Sequence, residues 1–308
     1  MKHHEEGWGW MLAVDFFFAG MGGAMLLIAG VLDLLPGEAG TSLLGNICGP
    51  LFISLGACFL ILELGRPFQA WRVFMNPKAI LTIGAWTMTL AIGFGFIYAS
   101  FGLDVFPWSK MVGLRKLCAV ICIITGLIVA TYPGILLGRH KSRPFWNGPG
   151  MMVLFLLSSL VTGGAAHLLS AYLFTSSLAG NIAGLNLTVA LLLAFQFLVW
   201  LVYLWVKISG TTTREAVAAR RWLNGEFAAP FKYGFLLAGT LVPFILLFFE
   251  QRGLTMVAAC LVLIGGFIMR NLVVSSGNID RTWLPGELDY RSRLPLGDEE
   301  FLRAWNNK

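Results

Sequence analysis

The sequence predicts an all-α integral membrane protein of eight transmembrane helices. Three observations carry that prediction. The 308 residues are 57% apolar and only 12% charged, where a soluble domain is about 25% charged. Mean hydropathy is +0.76. Eight continuous apolar stretches each supply the roughly 20 helical residues that a bilayer crossing needs. They fall near 9–35, 46–64, 79–102, 116–138, 149–174, 182–208, 233–250 and 254–275. A strand barrel is excluded, because barrel segments alternate in character and run to only about 10 residues.

Helix 1 follows Met1-Lys2-His3-His4-Glu5-Glu6-Gly7. Two acids in that leader and no small-residue cleavage site argue against a signal peptide, so the helix is expected to be retained. It carries Asp15 and a small-residue patch, Gly20-Met21-Gly22-Gly23-Ala24, suited to close helix packing. Helix 2 ends on Glu63, one turn from Arg66. Helix 4 holds Cys118 and Cys122 and, in its last turns, Tyr132. All five cysteines lie in helices without a ligand pattern and are read as packing residues. Helix 5 has His167 in its body and a patch, Thr162-Gly163-Gly164-Ala165-Ala166, resembling that of helix 1. The two patches hint at a 4+4 pseudo-repeat. Between helices 6 and 7, Thr211-Thr212-Thr213-Arg214-Glu215 opens an Ala/Arg-rich stretch that reads as a short surface helix. Helix 8 ends with Arg270-Asn271. Residues 1–276 are assigned to the membrane domain, and the polar tail 277–308 to docking a partner subunit.

Eight crossings put both termini on one side. That side holds most of the basic residues, among them Arg66, Arg72, Arg139, Arg143, Lys207, Arg220 and Arg221. The opposite side holds Lys110, Arg115, Lys116 and Arg252. The positive-inside rule places such a basic face, and with it both termini, in the cytoplasm of a prokaryotic inner membrane. Docking of an acidic partner is the competing explanation for the same bias.

Following the helix directions brings Asp15, Glu63, Arg66, Tyr132, Arg270 and Asn271 to the terminal side, each roughly one or two turns below the interface at 1.5 Å per residue. An ionisable group at membrane depth costs several kcal/mol and marks a functional site by default. Two carboxylates, two guanidiniums, a phenol and an amide in one layer suit an amphipathic ring that gains and loses protons, a quinone. Tyr132, Arg66, Arg270 and Asn271 would hydrogen-bond its oxygens, while Glu63 and Asp15 would handle protons. The plainer reading is a set of separate structural pairs, such as Glu63 with Arg66. On the opposite side, His167, Glu250 and Asp33 could contribute to a proton route, against the alternative of ordinary solvated helix ends. Haem held within the bundle would need two facing histidines, and only His167 lies within a helix body. No metal-spacing pattern, Walker loop or dinucleotide fingerprint occurs, and Arg220-Arg221 is too short a run for nucleic acid.

Several segments add a resemblance. Trp8-Gly9-Trp10 precedes Phe18-Ala19-Gly20-Met21-Gly22-Gly23-Ala24. Leu64-Gly65-Arg66-Pro67 is followed by Trp71-Arg72, Met75-Asn76-Pro77 and Gly84-Ala85-Trp86. Tyr132-Pro133-Gly134-Ile135-Leu136-Leu137 precedes Arg143-Pro144-Phe145-Trp146-Asn147, and then Ser158-Ser159-Leu160-Val161-Thr162-Gly163-Gly164-Ala165-Ala166. Over about residues 8–275 the chain resembles the NrfD-type family, the membrane subunits of polysulfide reductase and related respiratory complexes. The resemblance implies a haem-free subunit of two four-helix bundles that exchanges electrons between menaquinone, or a similar quinone, and a ferredoxin-like partner carrying iron–sulfur clusters. That partner would join a molybdopterin enzyme or a multihaem cytochrome. The family's quinone pocket lies in the first four helices, which matches Asp15, Glu63, Arg66 and Tyr132, with Arg270 a less distinctive match. The family often has asparagine or histidine at the helix 1 position, so Asp15 is a departure. A transporter would place its polar site at the midplane of broken helices, whereas this polar layer lies near one face. A redox-inactive anchor is the other rival.

Overall fold

Each apolar stretch closes its backbone hydrogen bonds within itself as a helix, as hydrocarbon requires. The computed structural model describes residues 9–35, 41–63, 67–75, 79–140, 143–174, 179–210, 213–249 and 251–279. Among them there is no strand, and eight helical segments are long and apolar enough to cross a membrane. Helix α1 spans Trp10–Leu34, α2 Leu43–Glu63, α3 Ile80–Ser100, α4 Val112–Gly138, α5 Gly150–Phe174 and α6 Ala179–Ser209. A 3₁₀ helix, Pro67–Met75, joins α2 to α3. The surface helix expected between the sixth and seventh crossings is α7, Thr213–Asn224, whose Ala218, Ala219 and Trp222 are buried. The last crossing is α9, Arg252–Ile279. It runs past the expected domain boundary at 276, and the rest of the polar tail lies outside the described residues.

The seventh crossing differs from a regular helix. It opens as a π-helix, Pro230–Leu241, and closes as a short α-helix, α8, Val242–Leu247. The Thr240 hydroxyl follows the wider turn and donates to the carbonyl of Phe235, five residues back, at 3.0 Å. Such long π segments are rare, and nothing in the apolar pattern of the sequence marks this one.

Helices α1 and α5 are the most enclosed crossings. One apolar cluster draws on α1 to α4 and the turn after α3, including Leu26, Ile53, Met88 and Val129. Another draws on α5, α6, α8 and α9, including Leu168, Leu193, Leu247 and Val262. α1 packs against α2, α4, α5 and α9, and so ties these clusters together. Its small-residue patch makes that possible. The Gly22 Cα faces the backbone of Gly49 and Ile53 on α2, Gly23 faces Gly126 on α4, and Ala24 faces Gly163 on α5. Three neighbours approach one stretch of α1 nearly backbone to backbone, the mode of association that small residues permit in lipid.

The connection after α4 is held from several sides. Phe145 stacks on Trp222 of α7 with ring centroids 4.5 Å apart. The Trp146 indole N–H donates to the Val273 carbonyl of α9 at 2.7 Å, and the Arg143 guanidinium lies 4.5 Å from the Trp146 ring. Lys207 of α6 is buried, and its ammonium donates to the carbonyls of Pro144 at 2.9 Å and Asn147 at 2.6 Å. Glu215 of α7 lies 3.6 Å from the same nitrogen. The Tyr203 hydroxyl donates to the Phe145 carbonyl. α4, α6, α7 and α9 are thereby locked together at the terminal face.

The glycine contacts predict a packing defect. Gly22→Val would drive side-chain atoms into the Gly49 carbonyl and the Ile53 backbone, neither of which can rotate away. It is expected to destabilise the protein by about 3 kcal/mol, the upper part of the overpacking range, read as a lowered Tm in detergent. A Tm equal to that of the wild type would refute the close approach of α1 and α2.

Candidate functional site

Asp15 falls on the second turn of α1, which neighbouring helices cover at that level. The residue is fully buried, and neither carboxylate oxygen has a hydrogen-bond partner. Its backbone carbonyl rests against Gly56 of α2. Tyr132 of α4 is likewise buried, with its hydroxyl unpartnered. Its ring lies on Gly84 of α3, where a Cβ would come within 2.5 Å of the ring. Pro133 follows directly inside α4. Lacking an N–H, it leaves the Val129 carbonyl without its helical donor and loosens the turn that carries the tyrosine. Asp15 and Tyr132 stand on helices that pack against each other. Two buried polar groups left unsatisfied on packed helices are uncommon, since each such group costs about 1–3 kcal/mol.

Glu63 occupies the mouth of the α1/α2 seam. It is the last residue of α2 and half-buried, and its Oε1 accepts the backbone N–H of Gly9 at 2.8 Å. Gly9 is the N-cap residue of α1 and has no side-chain cap of its own. The carboxylate therefore supplies the missing cap and sits at the positive end of the α1 dipole. Arg66, the partner expected from the sequence, lies outside the described residues. The Gly9 N–H is the partner that the structure shows for Glu63. Asp15 lies six residues further along α1, about 9 Å deeper at 1.5 Å per residue.

Arg270 of α9 is fully buried. One guanidinium nitrogen donates to Ser158 Oγ at 3.0 Å and to the Gly266 carbonyl at 3.2 Å. The other donates to Ser159 Oγ at 3.0 Å. Nε has no partner. The rings of Phe17 and Phe155 lie 5.6 Å and 6.0 Å from the guanidinium carbon, at cation–π range. Gly20 of α1 leaves room for Ser159 and the Arg270 head. Ser159 also lies 3.4 Å from the Ala130 carbonyl of α4, two residues before Tyr132. Arg270 thus reaches the neighbourhood of Tyr132 through α5. Among the described residues it forms no ion pair with Asp15. Asn271 is half-buried beside it on α9.

Of the residues proposed for the opposite side, Asp33 and His167 have other partners. Asp33, near the end of α1, is clamped by Arg115 at the start of α4, through Nε at 3.1 Å and Nη2 at 2.5 Å. His167 is buried, and its Nε2 lies 2.9 Å from the Met25 carbonyl. Glu250 lies outside the described residues. Sequence reasoning overlooked Ser158 and Ser159 as the partners of Arg270, and Gly84 as the floor beneath Tyr132. All three stand within motifs quoted above for the resemblance, but nothing in a single sequence says which glycine faces which ring.

Comparison with known proteins adds an independent line. Residues 2–280 match the family described as "Polysulphide reductase, NrfD". The C subunit of polysulfide reductase from Wolinella succinogenes is 25% identical over 306 residues, covering 90% of this chain and 96% of that protein. Protein NrfD of Escherichia coli is 25% identical over 187 residues, 53% of this chain and 59% of that one. The NrfD homolog of Haemophilus influenzae is 23% identical over 269 residues, 76% of this chain and 81% of that one.

The unsatisfied Asp15 carboxyl makes a stability prediction. Asp15→Asn keeps the shape and removes the ionisable group, so Tm is expected to stay level or rise, as when a strained functional group is neutralised. A loss above about 1 kcal/mol, the usual worth of a hydrogen bond, would instead show that the carboxylate is a structural partner.

Proposed function

Because the chain belongs to the NrfD family of polysulfide reductase membrane subunits, we propose that it is the quinone-reactive subunit of its respiratory oxidoreductase, with Asp15 and Tyr132 at the reacting site. The observation that carries this reading is the pair of buried, unpartnered polar groups on facing helices, one an acid and the other a phenol. Both suit a quinone head: the phenol can donate to a carbonyl oxygen and the carboxyl can give or take a proton. A bound quinone would supply two-electron chemistry with matched proton uptake.

The chain's own residues divide the remaining work. Tyr132 is fixed by Gly84 at its ring and aims one hydrogen bond. Asp15 holds a proton where water is excluded. Glu63 stands at the mouth of the same seam, half-buried, and connects Asp15 to the aqueous side. Arg270 holds positive charge nearby on a serine cradle, favouring charge that develops on a quinone oxygen, with Asn271 and Arg66 as further donors. A proton supply from the opposite face, by way of His167, Asp33 and Glu250, would also make turnover charge the membrane. A ferredoxin-like iron–sulfur subunit would meet the terminal face, where Trp10, Phe68, Trp71 and Met75 expose apolar surface beside Glu63. The basic residues of that face support a cytoplasmic location for both termini.

One observation favours a second role for Glu63, since its bond to the Gly9 N–H anchors α1. Glu63→Gln retains the accepting oxygen and loses the proton function, whereas Glu63→Ala loses both. Both are to be assayed in the assembled complex as quinol-linked electron flow. Glu63→Gln is expected to slow turnover at least tenfold with assembly intact, and Asp15→Asn about 100-fold, the low end for a general acid–base group. Normal flux in Glu63→Gln with a defect in Glu63→Ala would reduce Glu63 to an anchor. Normal flux in Asp15→Asn and Tyr132→Phe would leave the subunit a redox-inactive anchor.

A further inference from the structure

Arg270 and Tyr132 stand on different helices, α9 and α4, and each of these packs against α5. Two buried serines of α5, Ser158 and Ser159, receive the Arg270 guanidinium, one nitrogen to each, both at 3.0 Å. The two serines then differ. Among the described residues, Ser158 Oγ bonds to the guanidinium alone. Ser159 Oγ also lies 3.4 Å from the Ala130 carbonyl of α4. A guanidinium has donors only, so the Ser159 oxygen accepts from it. The hydroxyl hydrogen is left for the Ala130 carbonyl, which only accepts. The direction of the chain is therefore fixed: the Arg270 N–H donates to the Ser159 hydroxyl, which donates to the Ala130 carbonyl. A cation at the head of such a chain polarises the hydroxyl and strengthens its second bond.

This chain meets α4 at a weakened turn. Pro133 has no N–H to give the Val129 carbonyl, so one helical bond is missing there. Ala130 and Tyr132 both belong to that turn. The Tyr132 ring is packed on Gly84 of α3. The turn is thus held at two points, by Gly84 under the ring and by Ser159 at the backbone. Gly20 of α1 keeps space for the second of these. A Cβ there would stand 2.6 Å from Ser159 Oγ and 3.0 Å from the Arg270 head.

We infer that Ser159 is a positioning residue for Tyr132, clamping the proline-loosened turn of α4 to the buried Arg270. It acts through the tyrosine, and Arg270 has a second task besides its charge, which is to orient the serine. The inference rests on the reading that puts Tyr132 at the reacting site, and adds what holds the phenol in register. Were the serines there only to solvate the guanidinium, Ser158 and Ser159 would be equivalent. The clamp makes them unequal.

The test compares Ser159→Ala with Ser158→Ala in the assembled complex, with fluorotyrosine placed at position 132 by amber suppression. The fluorine NMR signal reports the surroundings of that ring whether or not quinol reacts there. Quinol-linked electron flow per assembled complex is measured on the unlabelled variants. Ser159→Ala is expected to move or broaden the signal. It is also expected to lower kcat about tenfold, equivalent to about 1.4 kcal/mol, with KM for quinol little changed. Ser158→Ala is expected to leave the signal in place. Pro133→Ala returns an N–H to the Val129 carbonyl, so its addition to Ser159→Ala is expected to restore the signal and most of the rate. If Ser159→Ala does not assemble, Ser159→Cys replaces it, since a thiol nearly keeps the size and weakens both bonds. An unmoved signal in Ser159→Ala, or an equal shift in both serine variants, would overturn the clamp. A shifted signal with normal electron flow would uphold the clamp and refute Tyr132 as a reacting group.

Discussion

The structure depends on the close approach of three helices to one stretch of α1. Lipid offers no hydrophobic force to press helices together, so van der Waals contact must supply it, and that contact is greatest where side chains are absent. Gly22 and Gly23 bring α2 and α4 against the α1 backbone, and Ala24 meets Gly163 on α5. With α1 enclosed on these sides, Asp15, toward the start of the same helix, has no path to lipid or to bulk water by a change of rotamer. Its burial follows from the packing of its neighbours. The same patch admits the Arg270 head at Gly20. Close packing and the polar site are therefore one feature of α1.

The terminal face is ordered by polar contacts of another kind. Lys207 spends its charge on two loop carbonyls and on Glu215, which fixes the connection after α4 to α6 and α7. Trp146 fixes that connection to α9. α4 carries Tyr132 and α9 carries Arg270, so these loop contacts set how the two site helices emerge at the interface. Several bases that sequence reasoning assigned to membrane sidedness thus have structural work as well. Arg143 lies over an indole and Lys207 is buried, and only solvated bases report charge bias cleanly.

How much could be read in the sequence follows from the range of each interaction. The eight crossings were legible because hydropathy is local, and their ends fall within a few residues of those expected. The surface helix α7 was legible from its threonine and Glu215. Asp15, Tyr132 and Arg270 were legible as candidates because ionisable or hydroxylated residues in an apolar run stand out. Their partners were not. Glu63 also accepts the Gly9 N–H, 54 positions away, a partner that its own stretch of sequence does not announce. The serine cradle of Arg270 sits more than 110 positions away on α5. Periodicity reports which face of a helix is apolar and is silent on which helix covers it. The π-helical seventh crossing was illegible for a related reason: hydropathy marks it as a crossing and says nothing of the width of its turns.

The separation of Asp15 and Arg270 is the most informative part of the site. Both are fully buried, of opposite sign, and on helices that pack together. Stability alone favours either pairing them or replacing both with apolar residues of similar volume, since a lone buried charge is the most costly arrangement. The structure does neither. Arg270 is held by two serines, a carbonyl and two aromatic faces, all of them neutral, so its charge is stabilised without being cancelled. Asp15 is held by shape, with no donor on its oxygens. Had the two been paired, the arginine would hold the carboxyl ionised and unable to carry a proton at ordinary pH. Kept apart, the carboxyl is free to be protonated, and the guanidinium remains available to negative charge arriving between the helices. A buried acid without a partner, on a helix packed against that of a buried cation with no counter-ion among the described residues, is the arrangement that the proposed quinone chemistry calls for.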